Sequence, residues 1–175
     1  LPDAEARLNL FNEALERLAA ADYVHIGLDH FSKAGSEMNI AQQEGRLHRN
    51  FQGYTTDTAK TLLAFGASAI STLPSGFIQN KSAARDYMKA IKDGGLGTNR
   101  GVGLTAQDRL RADIIERLMC DFKIDLGEIC EQHKVRVEDL TDEVARLKPL
   151  IADDLVSVDG WQVNVLPRGR MLVRM

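Results

Sequence analysis

Cysteine is scarce in this sequence. Cys120 and Cys130 are the two it has, and they lack the spacing of a disulfide framework or a zinc site. Two separate thiols in helical patterns fit a reducing compartment, and a cytoplasmic location is the expectation. Long apolar runs are also missing, which excludes a transmembrane helix and removes the membrane as a partner. So is an excess of positive charge. Lys and Arg number 22 against 25 Asp and Glu, a formal net charge of −3. No global basic field therefore draws in nucleic acid. No signal peptide opens the chain, because LPDAEARL is acidic and starts like a helix. The first residue is Leu1, and the last stretch, GRMLVRM, is an apolar helical pattern with no stop signal. The expectation is a segment of a longer polypeptide.

What is present is the balance of an ordinary globular chain, 44% hydrophobic and 27% charged over 175 residues. Leu8, Phe11, Leu15 and Leu18 recur at helical steps, which predicts an amphipathic helix over 3–20 with Pro2 and Asp3 at its start. YVHIGLD alternates, with Val24, Ile26 and Leu28 on one face, and reads as a strand buried on both sides and ended by Asp29-His30. Helix then strand is the rhythm of an α/β unit. A short helix is predicted from Glu37 to Glu44. TAKTLLAFGASAIST reads as a short apolar helix followed by a strand of small residues, and GFIQN as another extended piece. A helix over 82–92 is expected to start at Ser82 and stop at Gly94-Gly95.

The glycine-rich stretch DGGLGTNRGVG lacks the Gly-Lys-Ser/Thr and the preceding strand of a phosphate cradle. It reads as a flexible linker. Beyond it, Thr105 is placed to cap a helix with the stripe Leu110, Ile114, Leu118 and Phe122. KIDLGEICEQH and RVEDLTDEVARLKPLIADD supply two more helices. LVSVDGWQVNV is a hairpin turned at Asp159-Gly160, and Pro167 opens a last helix. Three helices and then a hairpin is the winged-helix pattern, so the expected division is 1–98 and 99–175. A DNA-reading role is disfavoured, since residues 101–175 carry 11 Lys/Arg against 14 Asp/Glu. Its third helix also presents Glu138, Asp139, Asp142 and Glu143 to any phosphate.

Three places could carry chemistry. Asp29-His30, at a strand's carboxyl end, can act as acid, base or ligand holder; equally, Asp29 can cap the following turn while His30 packs on Phe31. LHRNFQGYTTD, residues 47–57, fits neither helical nor strand periodicity. In it Arg49 can fork onto a carboxylate, Asn50 and Gln52 can give and accept hydrogen bonds, and Gly53 lets a ligand approach the backbone. The same segment also reads as an ordinary loop with a tyrosine plug. GASAIS, with small Gly66, Ala67, Ser68 and Ala69 before Ile70, leaves room for a flat ligand, or for a helix packed close.

In order, IGLDHFS, LHRNFQGYTT, GASAIS, the Gln79-Asn80 pair and GRMLVR resemble the C-terminal part of the oxygen-independent coproporphyrinogen III oxidase family, across nearly the whole chain. HRNFQGYTT places the resemblance with the oxidase branch rather than with the heme chaperone-like paralogues. A heme-binding paralogue and a free-standing winged-helix interaction module are the alternatives. The resemblance implies an α+β chain holding the last elements of a radical SAM (β/α) barrel, followed by a mostly helical, winged-helix-like domain. It implies porphyrin and heme biosynthesis: coproporphyrinogen III is the substrate, and two of its propionates become the vinyls of protoporphyrinogen IX. A [4Fe–4S] cluster and S-adenosylmethionine (SAM) are the implied cofactors. This sequence has no C-x3-C-x2-C, and Cys120 and Cys130 cannot replace a cluster's three thiolates. By the resemblance, the cluster and the primary SAM contacts belong to a missing N-terminal part. The fragment itself then holds no catalytic residue and no metal ligand, is inactive alone, and can self-associate through exposed barrel surface. The family's second SAM maps to Gln52 and Ile70, with Asp29, His30 and Arg49 as pocket or support.

Overall fold

A computed structural model describes residues 2–174. Their contacts form two compact units, one running to Thr56 and resuming at Ala112, the other Asp57–Arg111. The division expected at residue 98 concerns modules of a longer chain and returns below as part of a proposal.

In the first unit, helix α1 (Ala4–Ala20) is capped by Asp3, whose Oδ1 accepts the Ala6 N–H at 2.8 Å. Strands β1 (Tyr23–Ile26) and β2 (His30–Lys33) form an antiparallel hairpin with Ile26 opposite His30. This corrects the expected unbroken strand through Asp29. Gly27 takes φ +57°, a conformation open to glycine that turns the chain. Asp29 therefore lies in the turn and His30 opens β2. Helix α2 (Glu37–Gln43) follows Ser36, whose Oγ accepts the Asn39 N–H at 3.3 Å. Strands β3 (His48–Asn50) and β4 (Gly53–Thr55) pair antiparallel. The segment read as irregular coil is thus a hairpin. Asn50 Oδ1 closes its turn, accepting the N–H of Gln52 at 2.8 Å and of Gly53 at 3.2 Å. Ile26, Ala41, Leu47, Tyr54 and Cys120 form the core, with Val24 and Met38 against it.

In the second unit, β5 (Ile70–Leu73), β6 (Gly76–Asn80) and β7 (Thr98–Gly103) make an antiparallel sheet in that order, with α3 (Ala84–Lys92) between β6 and β7 in sequence. Three expectations fail here. No helix forms over 58–65; Leu62 instead bridges Thr72. The small residues 66–68 turn rather than extend, with Ser68 at φ +63°, and the strand begins at Ile70. The glycine-rich stretch is no linker but supplies β7. Its glycines suit strands that approach closely, since a Cβ at Gly101 would lie 3.0 Å from the Phe77 carbonyl oxygen. Helix α3 starts after Ala83 with no side-chain cap, so Ser82 does not cap it. It ends as expected: Gly94 N–H reaches Ile91 O at 3.1 Å and Gly95 N–H reaches Ala90 O at 3.0 Å, the Schellman pattern.

Helix α4 (Ala106–Asp121) begins with a reciprocal cap. Thr105 Oγ1 accepts the Asp108 N–H at 3.1 Å and Asp108 Oδ2 accepts the Thr105 N–H at 2.9 Å. The Thr105 N–H, and the Thr105 hydroxyl that donates to the same Oδ2 at 2.7 Å, hold the exposed Asp108 carboxyl below its ordinary pKa. There follow β8 (Lys123–Asp125), α5 (Leu126–Gln132), a 3-10 turn (Val137–Leu140), α6 (Thr141–Ala145), α7 (Lys148–Ala152), β9 (Val156–Asp159), β10 (Gln162–Val165) and a closing 3-10 turn (Pro167–Leu172). The sheet order is β8-β10-β9, both pairings antiparallel. KID is thus a strand rather than a helix start, because Phe122 at φ +58° ends α4. The expected third helix is three short pieces, with Pro149 in the first turn of α7. Every described strand pairing is antiparallel. Helix-then-strand order suggested an α/β unit but does not specify which way neighbouring strands run.

Candidate ligand-binding surfaces

Tyr54 organises the first unit's candidate surface. It is 6% exposed, and burial raises its phenol above the ordinary pKa. The neutral hydroxyl donates to Met119 O at 2.9 Å and accepts the Leu28 N–H at 2.8 Å. Met119 O is among the last carbonyls of α4, which have no partner within the helix, so Tyr54 both caps α4 and ties down the β1–β2 turn. Arg49 sits opposite Tyr54 in the hairpin, its guanidinium carbon 4.6 Å from the ring centre. His30 meets the same ring edge-on at 5.1 Å. Two glycines leave the space: a Cβ at Gly27 would fall 1.9 Å from the Tyr54 ring, and one at Gly53 2.5 Å from His30 Nε2.

Helix α4 fastens β3 from the side. Glu116 Oε1 accepts the Arg49 backbone N–H at 3.0 Å and lies 3.3 Å from His48 Nδ1. Arg117 donates to Leu47 O at 2.7 Å, to Gly45 O at 3.0 Å and to Asp121 Oδ2 at 2.7 Å. A hairpin of two three-residue strands is marginal alone; these anchors give it a fixed place.

Three of the residues singled out in the sequence converge here. Asp29 Oδ1 lies 2.7 Å from His30 Nδ1, and His30 packs on Tyr54 rather than on Phe31, whose stacking partner is His25 at 5.0 Å. Arg49 lies over the ring, and its Nη1 is buried without a hydrogen-bond partner. Gln52 stands exposed at the hairpin tip next to them. Ile70 belongs to the second unit, opposite Gln79 in the sheet. There the Gln79-Asn80 pair serves the backbone. Gln79 Nε2 donates to Ser68 O at 3.1 Å, and Asn80 Nδ2 to Ala64 O at 3.3 Å and Gly66 O at 3.0 Å. The Gly66 N–H donates to the Tyr87 hydroxyl at 3.1 Å. The organising roles of Tyr54, Glu116, Asn80 and Tyr87 were not readable from the sequence. Asn50-Phe51-Gln52-Gly53, with Asn in the first and Gly in the last position of a turn, was a signal that could have revealed the hairpin.

An iron–sulfur cluster does not fit these residues. Cys120 is fully buried, and burial pushes its thiol up to about 12; burial raises Cys130 as well. A cluster needs several accessible thiolates, and among the described residues no group of three or more His, Cys, Asp and Glu is placed to hold a metal. The same burial has a consequence for stability. A thiol whose pKa rises on folding favours the folded state below its ordinary value of 9.0 and loses that advantage as the pH climbs towards 12. Stability against urea is therefore expected to fall across that window by up to about 1.4 kcal/mol per pH unit. Cys120→Ala should flatten the fall; an unchanged slope would contradict the assignment.

Residues 104–172 match the HemN C-terminal domain family. Over 99% of its length the chain is 48% identical to the oxygen-independent coproporphyrinogen III oxidase of Bradyrhizobium diazoefficiens, spanning 39% of that relative. It is 37% identical to the Escherichia coli enzyme of the same name, again over 99% of the chain and 38% of the relative. The solved coproporphyrinogen III oxidase (HemN) of Escherichia coli, a radical SAM enzyme, superposes with a TM-score of 0.94 at 37% identity, covering 99% of this chain and 40% of that one. The resemblance carried by HRNFQGYTT and its companion motifs is thereby borne out: along nearly its whole length the chain is similar to oxygen-independent coproporphyrinogen III oxidases, and it spans about two fifths of the length of these relatives. Among the described residues no helix is long and apolar enough to cross a membrane.

Proposed function

We propose that this chain is the C-terminal portion of an oxygen-independent coproporphyrinogen III oxidase, a radical SAM oxidoreductase that decarboxylates two propionates of coproporphyrinogen III in cytoplasmic heme biosynthesis. The observation that carries the reading is the match to the solved radical SAM oxidase along the whole chain, TM-score 0.94 at 37% identity. In this reading residues 1–98 are the last elements of the barrel. Residues 99–175 are a winged-helix-like domain, which the strand order β8-β10-β9 behind α4, α5 and α6 supports. The cluster and the primary SAM are held by residues outside this chain, and SAM bound beside the cluster supplies the radical chemistry. The contacts this chain offers a second SAM are, in this reading, the Gln52 amide and Ile70, each described within its own unit. Arg49, His30 and Asp29 shape the first of those surfaces: Tyr54 and Glu116 fix the hairpin, so the exposed amide of Gln52 needs little ordering to engage a ligand.

The chain alone is then inactive and self-associates through surface that the rest of the enzyme covers. The test is Gln52→Ala in the protein from the complete reading frame. Losing one ligand hydrogen bond of about 1.4 kcal/mol lowers turnover about tenfold, with iron and sulfide content unchanged. Equal turnover and equal SAM affinity in the variant would reject the assignment.

A further inference from the structure

We infer that Arg100, on the sheet of the second unit, is a carboxylate-binding residue set beside Ile70. The sheet register places it. Ile70 pairs with Gln79, and Gln79 pairs with Arg100. Residues directly opposite in antiparallel strands project to the same face, so the three side chains form one row across the sheet. At two strand spacings, Arg100 stands about 10 Å from Ile70. The same face carries Thr72, Phe77 and Val102 in the next row, with Val102 59% exposed. An apolar strip thus lies alongside the Ile70–Arg100 row.

Arg100 is held ready. Its Nε donates to Gln79 Oε1 at 2.8 Å, while Gln79 Nε2 is fixed on Ser68 O at 3.1 Å. The Gln79 amide is therefore fully oriented: its oxygen serves Arg100 and its nitrogen serves the turn before Ile70. Among the described residues no carboxylate pairs with Arg100, and its two terminal nitrogens remain for a ligand. That planar fork matches a carboxylate with two parallel hydrogen bonds. The pairing shifts register just beyond, between Gln79 and Asn80, so that Asn99 is the extra residue of β7. Bulges re-aim the side chains next to them and concentrate near binding sites. An arginine on an edge strand needs no amide brace to stay soluble, so the brace itself points to a fixed binding geometry.

The inference rests on the reading of Ile70 as a ligand wall. Two ligands of that reading carry carboxylates: the methionyl end of SAM and the propionates of the tetrapyrrole. The experiment separates them. In the protein from the complete reading frame, Arg100→Gln and Arg100→Lys are titrated with S-adenosylhomocysteine by calorimetry and with coproporphyrin III by fluorescence quenching. Arg100→Gln is expected to weaken one of the two about tenfold or more, the loss of a charge-assisted hydrogen bond, and Arg100→Lys to recover part of it. Weakened coproporphyrin with unchanged S-adenosylhomocysteine assigns Arg100 to a propionate; the converse assigns it to the methionyl carboxylate. Both affinities within twofold of the parent, or a loss that Lys does not relieve at all, overturns the proposal. Gln52→Ala is titrated in parallel. An effect there with none at Arg100 leaves the second-SAM reading standing and removes this one. An effect at Arg100 with none at Gln52 does the reverse.

Discussion

A single methyl added at Gly27 is expected to cost the first unit about 3–5 kcal/mol, from the left-handed backbone penalty, overpacking and lost hydrogen bonds together. Gly27 sits at φ +57°. The added carbon would lie 1.9 Å from Cζ and 2.2 Å from the hydroxyl oxygen of Tyr54. The ring cannot swing away freely. Its hydroxyl bridges Leu28 N–H and Met119 O, and Arg49 and His30 pack on it. Moving it leaves a half-buried N–H and a helix-end carbonyl without partners and loosens the hairpin from α4. Urea denaturation of Gly27→Ala followed by circular dichroism measures the loss. A change below about 1 kcal/mol would mean that only the backbone angle matters and that Tyr54 is not wedged against the turn.

The sequence offers Tyr54 as a plug for a loop but not as the bridge between the β1–β2 turn and α4. The tyrosine's hydrogen-bond partners are 26 and 65 residues away, and Glu116 reaches His48 across 68. No local pattern encodes such contacts. Features whose stabilisation is local were readable: the start of α1 at Asp3, the Thr105 cap, the glycine stop after α3, and the Asp159-Gly160 hairpin. The β3–β4 hairpin was not, because its strands are too short for an alternation to show and because α4 anchors it. The β1–β2 turn was missed for another reason. Val24, Ile26 and Leu28 alternate whether or not the chain reverses at Gly27. In the second unit, five glycines between Asp93 and Gly103 read as freedom but serve close strand approach. Residue type limits chemistry even where structure is misread. Arg49, His30 and Asp29 were singled out by type, and the fold gathers them about one ring. Arg100 was passed over, because its meaning depends on Gln79 and hence on a pairing the sequence did not reveal.

The second large effect is expected at Gly76. A Cβ there would meet the Val102 carbonyl oxygen at 2.0 Å and Gly103 Cα at 3.0 Å. Both are backbone, so no side chain can yield; β6 and β7 must separate at that end. Gly76→Ala is expected to lose about 2–3 kcal/mol, as for overpacking elsewhere. It should also expose to hydrogen exchange the Leu104 N–H, which donates to Ser75 O at 2.9 Å. The control is the residue directly opposite. Gly103 pairs with Gly76, yet a Cβ on it would find its nearest neighbour, Ser75 O, at 3.9 Å. That is ordinary contact, so Gly103→Ala should stay within about 0.5–1 kcal/mol of the parent. The two substitutions add the same group to the same strand pair, and only at Gly76 does it collide with a carbonyl oxygen. Equal losses would show that the close approach at Gly76 does not set the register of β7. Unequal losses in the expected order would tie Arg100 to that register, because a shifted β7 no longer presents it opposite Gln79.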